Sequence, residues 1–94
     1  MRMMLRWTVP VEVGNQAIAS GQMQSTISDL MDRLNPEAAY FWPENGERSG
    51  MIVFDMTEPS EIPKVAEGLF TKLNAAVSFH PVMNPEDLKK GLAD

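Results

Sequence analysis

The sequence contains no cysteine. This absence excludes disulfide bonds, thiolate nucleophiles and thiolate metal ligands together, and it is typical of proteins that stay in the cytoplasm, the compartment that we predict. There is a single histidine, His80, and no group of acidic residues at the spacing of a metal site. Because metal sites in proteins are built from clusters of such ligands, we expect no metal and no cofactor.

Positive charge is scarce, and so are long apolar runs. Eight lysines and arginines stand against thirteen aspartates and glutamates, for a net charge of −5 at pH 7. Proteins that bind nucleic acids normally carry a basic patch, so we expect no nucleic-acid partner. No segment approaches the roughly 20 apolar residues of a membrane helix. Arg6 and Thr8 also interrupt the opening segment, where a signal peptide would be apolar. We therefore expect neither membrane association nor a signal peptide.

The patterns that are present predict helices and strands for one domain, residues 1–94. Alternating apolar residues predict strands, and an apolar stripe at helical spacing predicts a long helix with a kink near Gly21. Asn45 and Gly46 favour a hairpin turn. The predicted strands cover 3–9, 38–42, 50–56 and 75–80, with a turn at 43–46. The predicted helices cover 14–34, a stretch that begins between 57 and 61 and ends at 74, and a short terminal stretch at 84–91.

The order of these elements is β-α-β-β-α-β, followed by a short C-terminal helix. This order is typical of the ferredoxin-like arrangement, an α+β fold. It predicts a four-stranded antiparallel sheet in spatial order 4-1-3-2, with both main helices on one face. Since two helices cover one face only, the other face needs a separate explanation.

The two faces of the predicted sheet differ in composition. The helix side takes the more apolar set, which is Leu5, Trp7, Ile52, Phe54, Val77 and Phe79. The opposite face takes a mixed set, which is Met4, Arg6, Thr8, Met51, Val53, Asp55, Ser78 and His80. The second strand adds either Tyr40 and Trp42 or Ala39 and Phe41 to that opposite face.

Three hypotheses account for the mixed face. Arg6, Asp55 and His80 form a structural ion-pair group in a subunit interface, or they are the polar part of a ligand pocket between two sheets. The third hypothesis is catalysis, with His80 as a general base that Asp55 orients. In the predicted sheet, Asp55 and His80 flank the first strand near Met4, and Arg6 lies one step along.

Three segments carry a resemblance to a known family: the opening MRMMLRWTVP, the central WPENGERSGMIVFDMTEPSEI and the terminal FHPVMNPEDLKKGL. They are similar to the small bacterial proteins of the domain-of-unknown-function group 3303, which is placed in the dimeric α+β barrel superfamily. The resemblance implies that two sheets face each other in a homodimer and enclose a cavity. Relatives in that superfamily include cofactor-free monooxygenases, muconolactone-type isomerases, haem-degrading enzymes and ligand-sensing domains. No catalytic residue is carried over from the family.

Together these inferences predict a cytoplasmic homodimer that binds a small organic molecule between its sheets. The residues predicted to line that pocket are Met4, Arg6, Tyr40, Trp42, Asp55, Ser78 and His80. One alternative is a cofactor-independent monooxygenase or isomerase, with His80 as base and Arg6 stabilising negative charge. The second alternative is a structural or interaction protein without a ligand.

Overall fold

The structure of the protein is a computed structural model that describes residues 1–93. The first strand, β1 (Arg2–Val9), is one of the two central strands of a four-stranded sheet. Every second side chain of β1 is buried, because side chains alternate between the faces of a strand. β1 pairs antiparallel with β3 (Glu47–Asp55) and with β4 (Ala76–Pro81), and β2 (Ala38–Glu44) pairs with β3. The strand order β2-β3-β1-β4 is the predicted 4-1-3-2 read from the other edge. The predicted domain ended at Asp94, which lies outside the described residues.

The single helix predicted for residues 14–34 is wrong, because the chain forms two helices there. α1 (Val11–Ser20) and α2 (Gln22–Leu34) are separated by Gly21, which has a φ of +84°. A residue in this left-handed conformation ends an α-helix, and glycine adopts it without steric cost. The first helix also begins three residues earlier than predicted, directly after Pro10, whose carbonyl oxygen accepts a hydrogen bond from the Gly14 N–H at 2.8 Å.

The remaining elements follow the predicted order with shifted ends. The β2–β3 hairpin turns on Asn45 and Gly46 alone, with φ values of 52° and 78°, so the predicted four-residue turn is too long. α3 (Glu61–Leu73) precedes β4. The terminal helix, α4 (Pro85–Leu92), begins with a capping box in which Asn84 and Asp87 exchange side-chain to backbone hydrogen bonds. No helix among residues 1–93 is both long enough and apolar enough to cross a membrane.

The helices α1, α2 and α3 pack on one face of the sheet, where they form the core. The side chains predicted for the helix side all lie in this core or against it, which confirms that assignment. Leu5 and Ile52 are fully buried at its centre. α4 contributes no buried residue. Within residues 1–93, no helix with buried residues covers the other face of the sheet.

Trp7 occupies its place in the core only because Gly50 has no side chain. The two residues are cross-strand partners on β1 and β3. A Cβ atom on Gly50 would lie 2.9 Å from Cε2 and Cη2 of the Trp7 indole, and closer still to Cζ2. The indole ring therefore fills the space that any other residue at position 50 would need.

Candidate functional site

The candidate site is the open face, by which we mean the side of the sheet opposite α1, α2 and α3. Two cross-strand rows define its centre. In one row Tyr40, Met51, Arg6 and Ser78 lie side by side, and in the next row Ala38, Val53, Met4 and His80 do so. A third row contains Trp42, Ser49, Thr8 and Ala76.

The structure decides which aromatic residues of β2 belong to this face. Tyr40 is opposite Met51 and Trp42 is opposite Ser49, whereas Ala39 and Phe41 lie on the helix side opposite Ile52 and Gly50. All the residues predicted to line the pocket therefore share the open face, although they do not form one cluster.

The middle of the open face is apolar and only partly shielded from solvent. Met4, Met51 and Val53 are each half-buried, and Tyr40 is 67% exposed. These side chains are contiguous across β1, β3 and β2. Extended apolar patches of this kind are characteristic of surfaces that bind a partner or a ligand.

Arg6 belongs to a group that the sequence did not reveal. Its guanidinium lies over the Trp42 ring, 5.6 Å from the ring centroid, and Nη2 donates to Oε2 of Glu44 at 3.3 Å. Trp42 Nε1 donates to the other oxygen of the same carboxylate, Oε1, at 3.2 Å. Glu44 thus holds both the cation and the indole. It was missed because residues 43–46 were assigned to a turn, whereas Glu44 is the last residue of β2.

His80 and Asp55 are not brought together. His80 is opposite Met4 on β4, and its Nε2 lies 3.2 Å from the Ser78 hydroxyl oxygen. Asp55 is opposite Arg2 on β3, on the far side of β1. Two strand spacings alone amount to about 10 Å. Asp55 and His80 thus lie on either side of β1 as predicted, but Asp55 is one row beyond Met4, which is opposite Val53.

His80 has no carboxylate within ion-pair distance in the part of the chain that the structure describes. A histidine general base usually relies on a second group that fixes its orientation and tautomer. Among residues 1–93, Ser78 is the one side chain within hydrogen-bond distance of the ring. Catalysis by His80 stays a prediction.

Asp55 instead binds the chain's own terminal ammonium. The nitrogen of Met1 donates to Asp55 Oδ1 at 2.7 Å and to the Met56 carbonyl oxygen at 2.9 Å. The hydrogen bond from this ammonium, and then its positive charge, hold the pKa of Asp55 below its ordinary value. This contact fixes the end of β1 against the end of β3.

The Met1–Asp55 pair has a definite pH dependence. Because the pKa of Asp55 is lowered on folding, the pair stabilises the fold fully above the ordinary aspartate value of about 3.9. The stabilisation is lost as the pH falls through the lowered pKa of the folded protein. An NMR pH titration of the Asp55 carboxyl carbon should give a midpoint below that of an unfolded aspartate. Acetylation of the Met1 nitrogen removes the ammonium and should move the midpoint back up; an unchanged midpoint would contradict this assignment.

Arg2 connects α4 to the rim of the open face. Its Nε donates to Glu37 Oε1 at 2.6 Å, and its Nη1 donates to Asp87 Oδ2 at 3.1 Å. Glu37 precedes β2 and Asp87 lies in the first turn of α4. One arginine therefore ties two otherwise separate segments to β1.

Comparison with known proteins adds no relative to this picture: no protein-family model matches the chain, and a search of the curated proteins finds no match. The resemblance to the domain-of-unknown-function group 3303 stays a prediction. The function proposed for this chain must therefore rest on the geometry of the open face.

Proposed function

We propose that the open face is covered by the open face of a second copy, and that the resulting homodimer holds a small organic molecule between its two sheets. The observation that carries this proposal is the contiguous apolar surface formed by Met4, Met51, Val53 and Tyr40 on a sheet with helices on one side only. Its removal from water favours association by roughly 25 cal/mol for each Å² of apolar surface buried.

A second copy of the same chain suits this surface in charge as well as in polarity. A two-fold symmetric interface places one patch against itself, so it needs groups of both signs within the patch. Arg6 and Glu44 provide such a pair at one side of the apolar centre. The surface can therefore meet its own copy without an excess of like charge at this point.

The side chains around the apolar centre define the ligand that such a dimer would hold. Binding sites for small molecules are mainly apolar and contain a few polar groups that fix orientation. Here those polar groups are the Tyr40 hydroxyl, the Arg6 guanidinium and the Ser78–His80 pair. They suit a compact apolar molecule with one or two hydrogen-bonding atoms.

The Val53→Glu variant tests the dimer. Val53 lies between Met4 and Ala38 in the centre of the open face. A carboxylate at this position would be buried without a partner, which costs several kcal/mol. We expect dimerisation to weaken by a factor on the order of 100 or more, as measured by sedimentation equilibrium over a dilution series.

The matched control is Ile18→Glu, which makes the same change from an apolar to an acidic side chain on α1. Ile18 is 41% exposed and lies on the helix side of the sheet. We expect this variant to associate like the unmodified protein. If Val53→Glu and Ile18→Glu have equal masses in solution, the open face is not the interface. Circular dichroism establishes that both variants are folded.

A further inference from the structure

A second concave surface lies on the opposite side of the sheet, and the proposed dimer does not use it. This helix-side groove has a volume of about 660 Å³ and runs between α2 and the β2–β3 hairpin. Its lining is mainly apolar and includes Trp7, Met23, Ile27, Phe41 and Pro43. The volume falls within the range of pockets that hold small organic ligands, about 300–1,000 Å³.

An aromatic pair from one cross-strand row on the helix side forms part of the groove wall. Trp7, Gly50 and Phe41 are consecutive neighbours in that row. The Trp7 ring leans over Gly50 and meets Phe41 edge-on, with ring centroids 6.1 Å apart and planes at 63°. Trp7 is buried, but Phe41 is 56% exposed, so the helices leave the outer half of this aromatic pair uncovered.

The groove carries positive charge in a protein that is negative overall. Arg48 is the one charged residue in its lining, and it forms no ion pair within residues 1–93. Its Nη1 donates to Asn15 Oδ1 at 3.0 Å, and this bond holds the side chain towards α1. A guanidinium has five N–H donors, so most of them stay free for another acceptor. The neighbouring acids Glu44 and Glu47 are opposite each other in the register of the hairpin and lie on the open face, where Glu44 pairs with Arg6.

We propose that the helix-side groove binds an aromatic carboxylic acid. The aromatic body lies against Phe41 and the part of Trp7 that lines the groove, where aromatic rings prefer offset or edge-to-face contacts. The carboxylate binds Arg48, because a planar guanidinium can donate two parallel hydrogen bonds to it. Every residue of this site belongs to one chain, so the site is complete in a monomer and does not depend on the proposed dimer.

The test uses 3-phenylpropionate as the probe and the unmodified protein. The chain has two tryptophans, so its NMR spectrum contains two indole N–H signals, and the signal that is missing from the spectrum of a Trp42→Phe variant identifies Trp42 and leaves the other assigned to Trp7. We expect a saturable shift of the Trp7 signal on titration with 3-phenylpropionate. Its neutral counterpart, 3-phenylpropan-1-ol, should bind at least tenfold more weakly, because it cannot accept a charge-assisted bond from Arg48.

Three arginine variants locate the carboxylate. Arg48→Gln should weaken binding of 3-phenylpropionate at least tenfold and leave binding of the alcohol unchanged. Arg33→Gln is the matched control, since Arg33 lies on α2 outside the groove lining and donates to the Lys64 carbonyl oxygen, and it should leave both affinities unchanged. If Arg6→Gln, on the open face, weakens binding and Arg48→Gln does not, the acid binds the open face and the groove proposal is wrong. If the acid and the alcohol bind equally, the attraction is only apolar and the proposal is also wrong.

Two further variants separate this site from the dimer and from simple misfolding. Ile27→Glu adds a carboxylate to the groove wall at a half-buried position of α2, and it should abolish binding while the helical content is retained. Val53→Glu, which is designed to dissociate the dimer, should bind 3-phenylpropionate normally. Loss of binding in Val53→Glu with retention in Ile27→Glu would place the site between the two sheets and overturn the proposal.

Discussion

Replacing Gly50 with alanine is expected to destabilise the protein by about 3 kcal/mol. The added methyl group would overlap the Trp7 indole, which is 4% exposed and belongs to the packed core. Since small domains are stable by only about 5–15 kcal/mol, this is a large part of the total. Urea denaturation at a fixed protein concentration measures the change in the free energy of unfolding, and the fixed concentration removes any effect of association.

Two comparisons show whether the clash with Trp7 is the cause. Gly68, in the interior of α3, has no atom within 4 Å of an added Cβ, so Gly68→Ala should raise stability by up to about 1 kcal/mol. In a Trp7→Leu background, which removes the ring, Gly50→Ala should cost less than about 1 kcal/mol. A cost that stays near 3 kcal/mol in that background would show that the glycine backbone, not the indole, is what matters.

Replacing Leu5 with alanine is expected to cost about 3–5 kcal/mol of the free energy of unfolding. Leu5 is 0% exposed and lies between Ile52 and Phe79 in the middle of the core face of the sheet. Because strands on both sides fix the backbone of β1, the surrounding side chains cannot close the cavity. The cost therefore includes both the lost apolar contacts and the empty volume.

The same substitution at Leu88 supplies the control. Leu88 is 47% exposed on α4, a helix that buries none of its residues in the described chain. We expect Leu88→Ala to change the free energy of unfolding by no more than about 0.5 kcal/mol. Urea denaturation of both variants compares one chemical change in two environments. Similar costs at the two positions would contradict the assignment of the core.

The parts of the fold that local patterns control could be read from the sequence. The alternation in MMLRWTV sets the two faces of β1, and Asn45-Gly46 sets a tight hairpin with positive φ angles. Gly21 was a harder case. Low helix propensity at Ser20 and Gly21 marks a weak point, but it does not distinguish a kinked helix from two helices. The structure decides between the two, because Gly21 has a left-handed conformation that ends α1 before α2 begins.

The candidate site was predicted in composition but not in arrangement. The period of two residues was sufficient to place Met4, Arg6 and His80 on one face. The register of β3 against β1 decided the rest, because it puts Val53 rather than Asp55 beside Met4. The helix-side groove gave no sequence signal at all. It depends on how α2 lies beside the β2–β3 hairpin and on the direction of the Arg48 side chain, and neither follows from a local pattern.

The central claim is that the open face pairs with itself, and native mass spectrometry of the unmodified protein tests it most directly. One chain has a mass of 10.5 kDa. We predict a main species of twice that mass, and extra mass on that species would be the small molecule held between the sheets. A main species with the mass of one chain, at micromolar concentration and moderate ionic strength, would contradict the claim. It would leave Met4, Met51, Val53 and Tyr40 as a surface for some other partner.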